Sequence, residues 1–189
     1  CTDDVLRFEL SVKFTKTTEA KRGRLPRSDL DSLFGLKKDI ASLYDSGDYS
    51  DVVFVCGSAE LRAHRSILSC RSEVFKQMFQ TNMEESRSGR VTITDLDPDA
   101  MKLFLRSLYL GELPEETRGS MEKLGCVLKA ADKYGVGSLT EKCIETMVDM
   151  FTPSTVLRAL AIAHLIGQNK LKAHALAYAT RDRETLQDV

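Results

Sequence analysis

Chemistry in this chain would have to come from a small set of side chains. The histidines are His64, His164 and His174, and the cysteines are Cys1, Cys56, Cys70, Cys126 and Cys143. No two cysteines stand at Cys-x-x-Cys spacing, and no Cys/His pair stands at the close spacing that a tetrahedral zinc site uses. His164 and His174 are ten residues apart on neighbouring helical segments, which is a poor start for a metal centre. Phosphate-cradling glycine patterns are absent, and "GVGS" at 135–138 follows a helix rather than a strand, the wrong context for phosphate. No Gly-x-Ser-x-Gly elbow occurs. Cys70 precedes Arg71, a cation that lowers a thiol pKa when close; the plainer reading is a small apolar filler on a packed helix. One further stretch, "QTNMEES" at 80–86, offers an adaptable methionine beside two carboxylates. It reads either as a solvated connection, with Met83 covering the end of the preceding helix, or as a handle for another protein. The residues give no support to an enzyme, a cofactor or a metal.

The bulk properties exclude other classes. Apolar residues make up 42% and charged residues 29%, an ordinary globular mixture, and the net charge of −1 provides no basic field for nucleic acid. The longest apolar runs fall far short of the roughly 20 residues that a membrane span needs. Five scattered cysteines, an odd number in mostly apolar context, suit reduced thiols in an intracellular protein better than a disulfide frame. The chain opens on Cys1 and runs at once into a strand-like pattern, as expected of a piece of something longer.

That opening pattern, "VLRFELSVKF" at 5–14, alternates apolar and polar residues and predicts a half-buried strand. One strand cannot cover its own apolar face, so it belongs to a sheet lost upstream or adds to something downstream. A polar, basic linker follows over 15–27. Leu30, Leu33, Phe34, Leu36, Ile40 and Leu43 then recur at helical spacing, with Ser28 or Asp29 as N-cap. "DVVFVCG" predicts a buried strand and "SAELRAH" the second arm of a hairpin. From Ser66, a 3.6-residue period places Ile67, Leu68, Val74, Phe75, Met78 and Phe79 on one broad apolar face. "RVTITDL" is a third strand. Asp97-Pro98 opens a helix whose buried stripe is Met101, Phe104, Leu105 and Leu108, and Gly111 stops it. Further helices are expected over 120–134, with Leu124, Val127, Leu128 and Ala131 inward, and over 139–150, with Ser138 and Glu141 as a capping box. A helix pair follows from Thr152-Pro153. The fold class is α+β: a small sheet with a hairpin, flanked by helices and continued by an all-α helix pair.

In order, "YSDVV", "AHRSIL" (63–68), "SEVFKQMF" (72–79), "DPDAMKLFLRSLYLGEL" and "LKAADKYGVGSLTEKC" resemble the core of a BTB (POZ) domain over about 28–150. The strand at 5–14 resembles the last strand of a MATH domain, as in speckle-type POZ proteins, whereas kelch-type BTB proteins do not place such a strand upstream. Residues 151–189 resemble the start of a BACK, or three-box, extension. The resemblance implies the division 1–14, 15–27, 28–150 and 151–189, and a homodimeric adaptor of a cullin-RING ubiquitin ligase. It implies contact with cullin-three through Met83 and Glu85, with Glu84 of little weight, and protein substrates held by the missing MATH domain, in the nucleus or cytoplasm. Leu30, Leu33, Phe34, Leu36 and Ile40 would form the dimer face. Asp51 and Arg65 match a charged pair near that face and read as a partly buried ion pair. His64 reads as a packed, hydrogen-bonded residue. The alternative is a BTB oligomerisation scaffold or transcriptional regulator that binds no cullin.

Overall fold

The computed structural model describes residues 27–80 and 88–181. The strand expected at 5–14 and the Met83–Glu85 stretch lie outside the described residues. The first helix, α1, spans Arg27–Ser46, so Ser28 and Asp29 fall inside it rather than at its cap. Strands β1 (Val52–Cys56) and β2 (Ala59–Ala63) form the expected antiparallel hairpin. Gly57 takes φ +58 in the turn between them, a left-handed conformation that glycine adopts without a Cβ clash.

Beyond two short helices among the described residues, the chain returns as β3 (Arg90–Ile93), which pairs with β1 in parallel, giving the order β2-β1-β3. The Val53 N–H donates to the Gly89 carbonyl at 2.8 Å and fixes where β3 begins. Val52, Phe54, Cys56, Val91 and Ile93 all point into the core, while Val53 and Val55 are only half-buried. The central strand is therefore covered fully on one face.

The apolar face read from Ser66 to Phe79 as continuous is broken. Helix α2 (Arg65–Arg71) ends at Ser72, and α3 (Glu73–Gln80) starts afresh. Ser72 adopts extended backbone angles, and its buried hydroxyl donates to the Tyr134 carbonyl at 2.6 Å while accepting from the Phe75 N–H at 3.1 Å. The break leaves Leu68 and Phe75 fully buried and Val74 exposed. Phe75 stacks on Tyr134 at 4.4 Å and meets Phe54 edge-on at 5.5 Å, an aromatic cluster joining α3 to the sheet.

Helix α4 (Pro98–Leu110) follows the expected pattern: the Asp97 carboxylate accepts from the Ala100 N–H at 2.8 Å, Met101, Phe104, Leu105 and Leu108 are buried, and Gly111 closes it at φ +68. A 3₁₀ turn leads to α5 (Met121–Lys133), whose inward residues are also those expected. The next helix, α6, runs Gly137–Asp149 and begins two residues early. Ser138 does not cap it, because the turn from α5 is so tight that the Val136 carbonyl already accepts from Leu139 and Thr140. Glu141 instead reaches Lys170 at 3.1 Å. Helix α7 (Pro153–Ile166) carries the true capping box, between Thr152 and Thr155, and α8 (Asn169–Arg181) lies back against it.

Candidate protein-interaction surface

Among the described side chains, helix α1 makes its contacts with the domain core through its C-terminal half. There Ile40 and Tyr44 meet the core, the Tyr44 hydroxyl donates to the Lys102 carbonyl at 3.3 Å, and Lys37 pairs with Glu112. Leu33, Phe34 and Leu36 are 55%, 66% and 59% exposed. Three large apolar side chains on one short stretch of helix, uncovered by the described residues, form a patch of the kind that marks an interface. Leu30 lies on the same helix by its backbone position. Gly35, between Phe34 and Leu36, has open space where a side chain would stand, with no atom within 4 Å of an added Cβ. Beside the patch, an open apolar cavity of about 420 Å³ is lined by Ile40, Ile67, Leu108, Leu110 and Cys70. Cys70 is thus exposed at a cavity wall, not the packed filler that its apolar neighbours suggested.

Behind α1 sits a polar network that sequence reasoning caught only in part. His64 is buried as expected, and its Nε2 lies 2.6 Å from the Asp48 carbonyl, so that nitrogen carries the hydrogen. Its Nδ1 then accepts from the Tyr109 hydroxyl at 2.7 Å, and that oxygen accepts from the His64 backbone N–H at 2.8 Å. Tyr109 also packs against Tyr44 of α1, ring centroids 4.8 Å apart. Burial pushes both phenols up to about 12; for Tyr44 the neighbouring Tyr109 and Asp45 add to the effect. The role of Tyr109 had no local signal, because its partner lies 45 residues away in sequence.

Asp51 and Arg65 are brought together crosswise. The Asp51 carboxylate accepts from the Arg65 backbone N–H at 2.7 Å, and Arg65 Nε donates to the Asp51 carbonyl at 3.1 Å. The Arg65 guanidinium also stands 5.5 Å from the centre of the Phe79 ring, near the end of α3. This arrangement ties the start of α2 to the start of β1, next to the point where the 81–87 segment leaves α3.

The groups that would support metal or thiol chemistry do not converge. His164 and His174 are exposed on α7 and α8, and among the described residues no cluster of His, Cys, Asp and Glu could hold a metal ion. Burial raises the thiols of Cys56 and Cys126 and pushes Cys143 up to about 12, which disfavours the reactive thiolate. No helix among the described residues is long and apolar enough to cross a membrane.

The family profile described as BTB/POZ domain matches residues 40–150, from the middle of α1 through the end of α6. The chain belongs to the BTB/POZ domain family. BTB domains are protein-interaction modules, generally non-catalytic, and typically self-associate as dimers. This BTB chain is 34% identical over 144 residues to TD and POZ domain-containing protein 3 of Mus musculus, across 76% of its own length and 39% of the relative's. TD and POZ domain-containing protein 4 of the same species is 33% identical over 144 residues, across 76% and 38%. The chain thus spans about two-fifths of the curated relatives it matches. Among solved structures, the BTB domain of zebrafish PATZ1 superposes with a TM-score of 0.50 at 20% identity, covering 65% of this chain and 96% of that one. At that identity the likeness concerns the fold alone.

Proposed function

We propose that this chain is the dimerising and cullin-binding part of a substrate adaptor for a cullin-RING ubiquitin ligase. The observation that carries the reading is the uncovered α1 patch on a BTB domain. Among the described residues nothing covers Leu33, Phe34 and Leu36, and a two-fold mate would supply a partner surface isologously. Leu30 and Ile40 flank them on the same helix. The BTB domain, taken as 28–150, has Asp51 and Arg65 beside this face in a structural role.

The cullin would be held by Met83 and Glu85, in the segment between α3 and β3. An apolar, adaptable methionine fills a partner pocket, and a nearby carboxylate orients the contact through a charge-assisted hydrogen bond. The helix pair within 151–189 supports this reading, because Leu157, Leu165 and Leu176 are exposed on it and offer apolar area to an incoming helix. Upstream, 1–14 would be the end of a MATH-type substrate-binding domain joined by the 15–27 linker. The names of the relatives, which give a second domain besides POZ, and their greater length fit a larger protein with such a part. The site of action is intracellular, nuclear or cytoplasmic, and no nucleic acid, membrane or cofactor enters the reading.

Co-purification with cullin-three tests it. The wild-type chain is expected to retain the cullin, and the Met83→Ala, Glu85→Ala double variant to lose most of it while its dimer mass stays unchanged. Equal retention by both would overturn the assignment of these residues. No retention by either would favour a BTB scaffold that only self-associates.

A further inference from the structure

Helix α5 contains a glycine at its centre, Gly125, which is buried. Glycine weakens a helix interior relative to any ordinary side chain, so its presence there needs a compensating contact. The contact is on α7. A Cβ placed on Gly125 would stand 3.0 Å from Cγ2, 3.1 Å from Cδ1 and 3.4 Å from Cγ1 of Ile162. Ile162 is β-branched and stiff about χ1 within a helix, so it cannot simply swing aside. The inward residues of α7 next to this point are the buried Val156, Ala159 and Ala163, two of them small. The rim of the same contact is polar: Arg158 donates to Glu122 at 2.7 Å, and Gln168 to Asp132 at 3.1 Å. The bare backbone of Gly125 therefore receives the Ile162 side chain, and the exposed polar pairs flank that contact.

We propose that Gly125 is a positioning residue for partner binding: by receiving Ile162 it sets how closely the helix pair lies on the BTB domain, and so where the exposed Leu157 and Leu165 are presented. The inference rests on the cullin-adaptor reading for the identity of the partner, but not for the geometry. Both leucines belong to the helix that Ile162 seats. A displacement at the contact moves them as one body relative to the domain, while the dimer face on α1 lies on a different helix and is left alone.

A size swap tests it in the full chain. Gly125→Val adds three carbons and Ile162→Ala removes three, so the pair approximately conserves volume. Valine is also the better helix former of the two residues at position 125, so α5 itself is not weakened. The single Gly125→Val variant is expected to keep its dimer mass, to exchange amide hydrogens faster across 153–166, and to bind cullin-three about tenfold more weakly, the scale of an overpacked contact. The double variant is expected to recover most of both losses, because the two changes are coupled. Unchanged exchange in Gly125→Val, or a double variant no better than the single one, would overturn the proposal. If the wild type binds no cullin, the adaptor reading fails. Hydrogen exchange then still decides whether Gly125 seats α7.

Discussion

Helices α1 and α4 are both amphipathic, and they pack against each other, yet their apolar faces have opposite fates. On α4, Met101, Phe104, Leu105 and Leu108 are at most 1% exposed, sealed between the sheet and α5. On α1, Leu33, Phe34 and Leu36 are each more than half exposed. The glycines repeat the contrast, since Gly125 of α5 faces Ile162 at close range and Gly35 of α1 faces nothing within 4 Å. Hydrophobic period identifies which residues share a face. It does not say what covers that face, and among the described residues one helix is covered by its neighbours while the other stays open.

Helix α4 should be the more sensitive of the two to substitution. Phe104→Ala should cost about 3–5 kcal/mol of folding stability, the range for large aromatic truncations in a packed core. Chemical denaturation would read the loss, and a cost below about 1 kcal/mol would mean that the core is not centred on this helix. Ser72→Ala comes next. It leaves the buried Tyr134 carbonyl and the Phe75 N–H without their partner, for about 1–3 kcal/mol in the same experiment. Removing the α4 cap with Asp97→Ala should cost about 1 kcal/mol.

A smaller effect comes from pH. Tyr44 joins α1 to the domain by packing on Tyr109, and burial holds both phenols protonated up to about 12. The folded state binds these protons more tightly than the unfolded chain, so their contribution is complete below the ordinary phenol value of about 10 and is lost as pH rises through 12. Thermal midpoints should therefore fall between pH 10 and about 12, and fall less in Tyr109→Phe, with one of the two titrations removed. An identical decline in the variant would remove Tyr109 from the account.

Much of this architecture is legible in the sequence where local chemistry decides it. Asp97-Pro98 and Gly111 mark α4 because a cap, a fixed φ and a left-handed stop act within a few residues. Leu124, Val127, Leu128 and Ala131 declare the inner face of α5 by spacing alone. The parallel pairing of β3 with β1 is not legible, since nothing in four strand residues encodes the direction of a neighbour reached through a long connection. Nor is the break at Ser72. Leu68 and Phe75, seven residues apart, still share a face across it, and the reason for the break is a carbonyl 62 residues downstream. The apolar face of α1 was legible as a stripe, and its exposure was visible only once α4 had taken the other side of α1. Met83 and Glu85 rest on sequence order alone, being outside the described residues.

Whether a second copy of the chain covers α1, as proposed, is read from mass in solution. The wild-type chain should have twice its formula mass at micromolar concentration, and Leu33→Asp with Leu36→Asp should have the mass of one chain while keeping a folded, helical circular-dichroism spectrum and a somewhat lower thermal midpoint. A dimer that survives both charges would contradict the account and place the interface on another surface.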